Sequence, residues 1–311
     1  MQTIYEWIWK RIDTRLSKQF SYSRNFFHHI INRWGVLVNN KCIKKSYKLK
    51  NKDQIFIDNI ERYLSPIILE EAPNIEIPIL IEKEDYLIIN KPKGILSHPN
   101  SIRDVKQPSV VWFLYHHFKD LPSYGNFIRA GLIHRLDKDT DGIMIIAKTE
   151  KGLQHFKQLF QKKSESKTIE EKEVILLQKF YKTKVKVTEQ GKKFLQEIKK
   201  GWLPHYIVED VIAKVPNTTP KEGITKIENI VLFTKENTED LKGEYATLTL
   251  QILTGRTHQI RYHLSHHWLP IIGDYLYWTE EETPMQLSAY KLLYQDIDGK
   301  TKTIEIPKKA E

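Results

Sequence analysis

The sequence predicts an α+β protein in which a small basic module precedes a larger body built around a sheet. Predicted strands outnumber predicted helices, and the two do not alternate regularly as they would in a doubly wound parallel sheet. The clearest strand is YATLTLQIL at residues 245–253, where alternate residues from Ala246 to Ile252 are apolar and share one face. We therefore expect strands and helices in separate groups rather than in repeated βαβ units.

Residues 1–60 are predicted to form the first module, a small α/β unit of two helices followed by short strands. Apolar residues recur every four positions up to Phe20, which indicates an amphipathic helix. A second helix follows Ser23, a residue type that caps helix N termini, and Gly35 is expected to end it. Two short apolar runs separated by polar turns then indicate strands.

A linker is predicted at residues 61–79, because three prolines and an acidic cluster interrupt both helical and strand patterns there. Residues 80–311 form the predicted body. In it, the apolar runs at residues 86–90 and 143–147 have the length of buried strands. Residues 161–173 (QKKSESKTIEEKE) are of low complexity and highly charged, which predicts a mobile surface loop.

Positive charge is concentrated in the first module. The net charge is +10, and residues 1–60 hold 12 Lys and Arg against 4 Asp and Glu, whereas residues 61–311 hold 37 against 35. Such a basic module favours a polyanionic partner, and nucleic acid is the leading candidate. A lysine-rich domain without a nucleic-acid partner stays open on charge alone.

The composition excludes several classes of protein. Cys42 is the only cysteine, so a disulfide within the chain and a thiolate zinc cluster are both excluded. No apolar run is long enough to cross a bilayer, and the first residues lack the pattern of a secretory signal. We therefore expect a cytoplasmic protein without a membrane segment.

The segment HRLDKDTDG at residues 134–142 is dense in polar residues and permits three interpretations. Asp137, Asp139 and Asp141, with the glycine that follows, match the start of a calcium-binding EF-hand loop. The twelfth position of such a loop is a bidentate glutamate, but here it is Lys148, and the next apolar run is strand-like rather than helical. Calcium is thus disfavoured, whereas a polar turn and a catalytic carboxylate both stay open.

A second polar segment, LTGRTHQIRYHLSHH at residues 253–267, offers a partner for a catalytic Asp137. Thr257 can cap a helix on which His258 and Arg261 are i,i+3 neighbours. From the end of a sheet strand, the guanidinium can clamp the Asp137 carboxylate by two hydrogen bonds and keep it ionised. The same basic helix N terminus is also suited to binding phosphate.

The four histidines of this second segment raise the question of zinc. His263 and His267 share a helix face, but no Cys, Asp or Glu stands at a spacing that would complete a zinc site. We therefore expect no metal.

Four segments, in order, resemble the signatures of the RluA-type pseudouridine synthases. They are EDYLIINKPKGILSHP (84–99), HRLDKDTDG with IMIIAKT after it (134–149), KFYKTKV (179–185) and LTGRTHQIRYHLSHHWLPIIGD (253–274). Together they span most of residues 80–307. The resemblance implies the pseudouridine synthase fold, a mixed and largely antiparallel sheet flanked by helices around a central cleft.

The resemblance also implies a reaction, the conversion of uridine in RNA to pseudouridine without a cofactor or a metal. Asp137 corresponds to the family's aspartate, which forms a covalent adduct while the glycosidic bond breaks. Tyr181 corresponds to the tyrosine that packs on the uracil and assists the final proton removal. Arg261 corresponds to the arginine that pairs with the catalytic carboxylate.

Other residues in these motifs are implied to bind RNA or to support the site. Arg135 corresponds to the residue that holds the place of the flipped nucleotide, and Arg256 is a further candidate RNA contact. His134 and His258 also border the site, and we expect them to orient the loop by hydrogen bonds rather than to transfer protons.

The chain departs from the family pattern at three places. Asp141 stands where the family usually has Ser, and we expect it to point to solvent. Ser288 stands where the family often has His, which predicts a different contact near the site. The interval from Phe160 to Tyr181 is longer than is usual in the family, and the excess falls in the charged segment.

The first module resembles the small RNA-binding module first seen in a ribosomal small-subunit protein, and such a module is common in the family. By this resemblance, Arg11, Ser23, Arg24 and Lys41 are candidate RNA contacts. Because the module enlarges the RNA surface engaged, it favours 23S ribosomal RNA as the substrate. We also expect the protein to act as a monomer. A tRNA enzyme of the same family and a non-catalytic RNA-binding or ribosome assembly factor with this fold are the alternatives.

Overall fold

The computed structural model describes residues 9–20, 24–60, 73–99, 106–118, 121–122, 129–214, 219–234, 244–278 and 283–307. The chain divides into two compact units. The first comprises Met1–Glu76, Leu96–Leu132 and Ala147–Thr149, and the second comprises Ile77–Ile95, Ile133–Ile146 and Glu150–Glu311. The domain boundaries expected at residues 60 and 80 stay a prediction, and Ser23 lies outside the described residues.

The first unit begins with two helices and a small antiparallel sheet. The helices are α1 (Ile12–Phe20) and α2 (Arg24–Asn32), and the strands are β1 (Val36–Val38), β2 (Lys41–Cys42) and β3 (Ile55–Ile57), in the order β2-β1-β3. Helix α3 (Val110–His117) also belongs to this unit and starts after Ser109, whose hydroxyl accepts a hydrogen bond from Trp112 N. The two helices α1 and α2 and the short strands agree with the elements predicted for residues 1–60.

A small apolar core joins α1, α2 and β1. Ile12 and Leu16 of α1 and Phe27 and Ile30 of α2 have no exposed area, because helical spacing places each pair on one face. Burying each such side chain contributes about 1.5–3 kcal/mol. Helix α2 ends before the predicted Gly35, whose N–H bonds back to the Ile30 carbonyl.

The second unit is built on a sheet that has nine strands within the described residues. They are β4 (Ile79–Glu82), β5 (Tyr86–Lys91), β6 (Asp141–Ala147), β7 (Leu177–Val187), β8 (Tyr206–Val211), β9 (Lys221–Thr234), β10 (Glu244–Ile252), β11 (Leu287–Gln295) and β12 (Thr301–Glu305). Their order is β4-β5-β6-β11-β7-β10-β9-β8, with β12 beside β11. Strands β6 and β11 are parallel, whereas β7 is antiparallel to both β10 and β11. This mixed, largely antiparallel sheet confirms the α+β prediction.

Helices accompany this sheet in the second unit. They are α4 (Glu150–Glu165), α5 (Ile169–Val174), α6 (Glu189–Lys199) and α7 (Gln259–His266). Among the described helices, none combines the length and the apolarity that a bilayer crossing requires. The apolar runs predicted as strands at residues 86–90 and 143–147 fall within β5 and β6, and both strands are buried over almost their whole length.

The charged segment at residues 161–173 is largely helical, so the prediction of a mobile loop is wrong. It completes α4 and enters α5 through a capping box at Thr168. The Thr168 hydroxyl accepts a hydrogen bond from Glu171 N, and the Glu171 carboxylate accepts one from Thr168 N. Such reciprocal bonds satisfy two free donors at a helix start, which favours order in spite of the composition.

A buried lysine fixes the charged segment to the sheet. The ammonium of Lys163 donates hydrogen bonds to Leu177 O, the Gln178 side chain and Ile252 O. Burial lowers the pKa of Lys163 to about 7. The composition of the charged segment does not reveal these hydrogen-bond acceptors, because they belong to other parts of the chain, β7 and β10.

Gly142 is required where β6 passes β11. Its φ is +119°, and an added Cβ would lie 2.2 Å from the Ala289 carbonyl oxygen. Ala289 stands opposite Gly142 in the parallel pairing of the two strands. The glycine of HRLDKDTDG therefore serves strand packing, and a calcium loop is not needed to explain it.

Candidate active site

A cavity of about 710 Å³ lies in the second unit where the two polar segments come together. The loop before β6, the middle of β7, the end of β10 and the start of α7 form its wall. Its lining includes seven of the predicted site residues: Asp137, Tyr181, Arg261, His134, Arg135, Arg256 and His258. A cavity of this volume suits one small ligand or a single nucleotide.

Asp137 lies in the loop before β6, which Thr140 N closes by a 3.2 Å hydrogen bond to the Asp137 carbonyl. The side chain is 20% exposed, and its Oδ2 lies 3.9 Å from both His258 Nε2 and Arg261 Nη1. At 3.9 Å neither group makes a direct hydrogen bond with Asp137, and the Arg261 guanidinium acts on it through its charge. The carboxylate is therefore accessible from the cavity.

Arg261 forms its two hydrogen bonds with Asp274, so the predicted two-bond clamp on Asp137 is wrong. Its Nε and Nη2 donate to the two oxygens of Asp274 over 2.8 and 2.6 Å, and both side chains are almost fully buried. Burial lowers the pKa of Arg261, but the hydrogen bonds and charge of Asp274 outweigh it and raise the pKa. A turn at Gly273 brings Asp274 back to the helix, which spacing along the sequence did not reveal. Arg261 is thus a fixed cation that presents Nη1 to Asp137.

Lys91 anchors the loop that carries Asp137, although it is not among the predicted site residues. Its fully buried side chain donates hydrogen bonds to the carbonyl oxygens of Pro92, Ile95 and Lys138 over 2.8 to 3.0 Å. Burial lowers its pKa to about 8, against the opposite effect of the nearby aspartates. The sequence could have indicated this role, because a lysine at the end of a buried strand needs hydrogen-bond acceptors for its charge.

Helix α7 has His258 as its N-cap, so the predicted cap Thr257 is wrong. His258 adopts a left-handed conformation with a φ of 55° and makes no side-chain cap bond. The buried Gln259 side chain instead accepts hydrogen bonds from Arg256 N and Thr254 Oγ1. Its amide nitrogen donates to β9, which fixes the turn at the cavity wall.

Two titratable side chains near Asp137 are neutral at pH 7. Burial is the main cause of the lowered pKa of His258, and it outweighs the charge of Asp137. Burial first, and then Asp137, raise the pKa of Tyr181. Tyr181 is 5% exposed and lies in the middle of β7, opposite Leu250 and Ala289 of the flanking strands. It therefore offers a rigid, protonated phenol to the cavity.

His134 contacts the strand that follows the loop. Its Nε2 accepts a 3.1 Å hydrogen bond from Ile145 N, and its ring packs against Phe160 with centroids 5.6 Å apart. Burial, followed by the charge of Lys179, lowers the pKa of His134 well below its usual value. A neutral and packed imidazole suits the orienting role expected for it.

Three basic side chains stand at the more exposed part of the cavity wall. Arg135 is exposed, and Arg256 is half-buried, with its Nε donating to Glu222 O over 2.8 Å. The third is Lys167 of the charged segment, which forms part of the wall. Lys167 was not predicted, because a segment interpreted as a mobile loop gave no position for its side chains.

Asp141 was expected to point to solvent, but it accepts a hydrogen bond from Ser288, although its side chain stays 34% exposed. Ser288 Oγ donates to Asp141 Oδ1 over 2.5 Å, and Lys93 Nζ lies 3.9 Å from the same oxygen. The two residues stand opposite each other in the pairing of β6 and β11. Two of the departures from the family pattern therefore contact each other.

In the first unit, Arg11 and Arg24 converge on a buried carboxylate. Each guanidinium donates two hydrogen bonds to Asp13, and His28 Nε2 lies 2.5 Å from it. Burial raises the pKa of Asp13, but the hydrogen bonds from these three residues outweigh it and hold the pKa well below its usual value. The two arginines stay 39% and 49% exposed, and Lys41 on β2 is exposed as well. All three can therefore reach a partner.

The chain is similar to RNA-modifying enzymes over most of its length. A family profile described as RNA pseudouridylate synthase matches residues 85–266. A ribosomal large subunit pseudouridine synthase D of Buchnera aphidicola is 32% identical over 273 residues, 86% of this chain and 76% of that protein. An uncharacterized RNA pseudouridine synthase of Aquifex aeolicus is 31% identical over 86% of this chain and 77% of that protein. Among solved structures, human RNA pseudouridylate synthase domain containing 1 has a TM-score of 0.49 and 18% identity, over 76% of this chain and 86% of that chain.

Proposed function

Because the chain belongs to the RNA pseudouridylate synthase family and is an RNA pseudouridine synthase, we propose that it acts on uridine in 23S ribosomal RNA with Asp137 as the nucleophile. One observation carries the assignment of residues. The Asp137 carboxylate shares a single cavity with a buried tyrosine and a fixed guanidinium. These groups supply a nucleophile, a surface for the base and a charge that favours the ionised acid.

The target uridine has to leave the RNA helix before its reacting atoms can reach Asp137. Arg135, exposed on the cavity wall, is suited to occupy the place that the flipped nucleotide leaves. The ring of Tyr181 then packs on the uracil, and its position in the middle of the sheet keeps that surface rigid.

The isomerisation exchanges one bond between base and ribose for another, so no atom is gained or lost. Asp137 bonds to ribose C1′ while the bond from uracil N1 to C1′ breaks. The base then turns, and its C5 bonds to C1′ as the bond from Asp137 to C1′ breaks and frees the carboxylate. N1 takes up a proton and C5 releases one. The raised pKa of Tyr181 keeps its hydroxyl protonated, so it accepts the proton from C5 only as it passes its own to the freed Asp137 carboxylate, whose charge acts on it.

Large-subunit ribosomal RNA is the proposed substrate, and a tRNA is the alternative within the same reaction class. The Buchnera relative is named for the ribosomal large subunit. The first unit also presents Arg11, Arg24 and Lys41, which are suited to phosphate contacts on folded RNA. We propose that the protein acts as a monomer in the cytoplasm, where both of its units would bind the ribosomal RNA precursor.

The variant Asp137→Ala tests the nucleophile, with Asp139→Ala in the same loop as its control. We expect Asp137→Ala to abolish pseudouridine formation and to leave RNA affinity nearly unchanged, because the basic side chains of the wall stay in place. Asp139 does not line the cavity, so its variant should retain activity. Modification of RNA by Asp137→Ala would exclude Asp137 as the nucleophile.

Pseudouridine mapping of ribosomal RNA and tRNA, in cells with and without the gene, tests the substrate. We expect loss of pseudouridine at one or more positions of 23S ribosomal RNA. Loss confined to a tRNA would replace the ribosomal proposal without affecting the role of Asp137.

A further inference from the structure

A second group of ligand atoms lies in the second unit outside the catalytic cavity. Glu209 of β8 and His266 and His267 at the end of α7 each present one such atom, and the three atoms lie within 4.8 Å of one another. His266 Nδ1 is 2.7 Å from Glu209 Oε2, and His267 Nε2 is 3.6 Å from Glu209 Oε1. None of the three residues lines the cavity around Asp137.

Glu209 Oε1 is shielded from solvent and accepts no hydrogen bond from the described residues. A shielded carboxylate oxygen without a donor is costly, and native proteins usually provide it with a donor or an ion. His267 Nε2 faces it, but 3.6 Å is too long for a hydrogen bond. A metal ion between these two atoms would satisfy both of them.

Each imidazole packs against an aromatic neighbour, and His267 is the more enclosed of the two, with 27% of its side chain exposed against 57% for His266. His267 stacks on Phe194 of α6, with ring centroids 4.3 Å apart and planes at 24°. His266 packs against Tyr262 with centroids 5.4 Å apart. Ligands that are already oriented lose less conformational freedom on binding. The C-terminal end of α7 also carries partial negative charge, which favours a cation there.

We propose that Glu209, His266 and His267 bind a divalent transition metal ion, best matched by Zn²⁺, with the fourth position open to water. Two imidazoles and one carboxylate are a ligand set typical of zinc, whereas calcium and magnesium prefer oxygen ligands. Ligand atoms around tetrahedral zinc lie about 3.4 Å apart at bond lengths near 2.1 Å. His267 Nε2 and Glu209 Oε1, 3.6 Å apart, are close to that separation, whereas His266 Nδ1 would exchange its 2.7 Å contact with Glu209 Oε2 for the metal.

The strand order explains why the sequence did not predict this site. The acidic ligand comes from a strand 57 residues before His266, and not from a neighbouring position. Strand β8 is at the end of the sheet order, and α7 carries Arg261. The metal would therefore tie an edge strand to the helix that positions the guanidinium beside Asp137, and would take no part in the isomerisation itself.

The test is a Zn²⁺ titration of the full-length chain, free of any affinity tag, by calorimetry and thermal unfolding. We expect about one Zn²⁺ per chain and a rise in Tm, because a ligand that binds only the folded state stabilises it. The double variant His266→Gln/His267→Gln should weaken binding at least about tenfold, because even partners outside the ligand set of a metal site contribute that much to affinity. His116→Gln, at an exposed histidine of α3, is the matched control and should bind as the wild type does.

Glu209→Gln provides an independent variant that keeps the size of the side chain and removes its charge. Glu209→Gln should also weaken Zn²⁺ binding. If circular dichroism shows that the double variant does not fold, the affinity of Glu209→Gln for Zn²⁺ is the test of the site. X-ray absorption should show nitrogen and oxygen neighbours at about 2.0–2.1 Å. No Zn²⁺ binding to the wild type, undiminished binding by both variants, or sulfur ligation through Cys42 would overturn the site.

Discussion

Replacing Asp274 with Asn tests how the guanidinium of Arg261 is held beside Asp137. Both oxygens of Asp274 accept hydrogen bonds from Arg261, whereas Asn offers one oxygen and no charge. The two side chains are 1% and 4% exposed, so water cannot replace the lost charge. Breaking a buried ion pair by removing one partner costs about 3–5 kcal/mol. Because Asn keeps one acceptor, we expect the lower end, about 3 kcal/mol.

Two assays follow from that magnitude. A loss of about 3 kcal/mol lowers Tm by roughly 6 °C at about 2 °C per kcal/mol. Single-turnover formation of pseudouridine should fall about 100-fold, because a displacement of about 1 Å in a positioned group has that effect. Asp296→Asn is the control, since Asp296 is also a buried aspartate and does not line the cavity.

A double variant separates the stability of the pair from its effect on the reaction. Asp274→Asn/Arg261→Gln removes both charges of the almost fully buried pair, so part of the lost stability should return, while activity stays low because Asp137 has lost its neighbouring cation. A wild-type Tm and rate for Asp274→Asn would refute this reasoning. Strictly additive losses of stability in the double variant would show that the two charges do not depend on each other.

Two further predictions concern the buried carboxylate that Arg11 and Arg24 contact and an exposed lysine of the cavity wall. Asp13→Asn should lower the free energy of unfolding of the first unit by about 2–3 kcal/mol at pH 7, measured by denaturant titration. Because hydrogen bonds hold the pKa of Asp13 below its usual value, its contribution is complete at neutral pH and is lost as the pH falls below about 4; a difference that did not shrink in acid would contradict this. Lys167→Gln should raise KM for RNA and reduce the slope of salt dependence by about 1, with kcat maintained. Equal effects in Lys193→Gln, an exposed control on α6, would show that Lys167 has no particular role.

Strands whose formation depends mainly on the burial of their own apolar side chains were predictable from the sequence. The alternation at residues 245–253 and the apolar runs at 86–90 and 143–147 match β10, β5 and β6, because burial acts on those residues directly. The charged segment at 161–173 was not predictable. Its order depends on carbonyl oxygens of β7 and β10 that bind the Lys163 ammonium, and a composition does not reveal them.

The candidate site shows the same limit. The resemblance to the family's motifs brought Asp137, Tyr181 and Arg261 into one set, and all three line one cavity. Spacing did not show which carboxylate takes the two hydrogen bonds of Arg261, because the chain reverses at Gly273 before it reaches Asp274. A contact between residues from different motifs or strands cannot be predicted from motif spacing, because it depends on the tertiary structure.

The contact between Asp141 and Ser288 changes how the two positions should be compared among relatives. Counted column by column, each one is a separate departure from the family pattern. In the fold they are the two halves of one hydrogen bond across β6 and β11. A change at one of the two positions alone would leave the other residue without this hydrogen bond. The effect of Asp141 and Ser288 on the catalytic loop is therefore expected to depend on the pair and not on either residue alone.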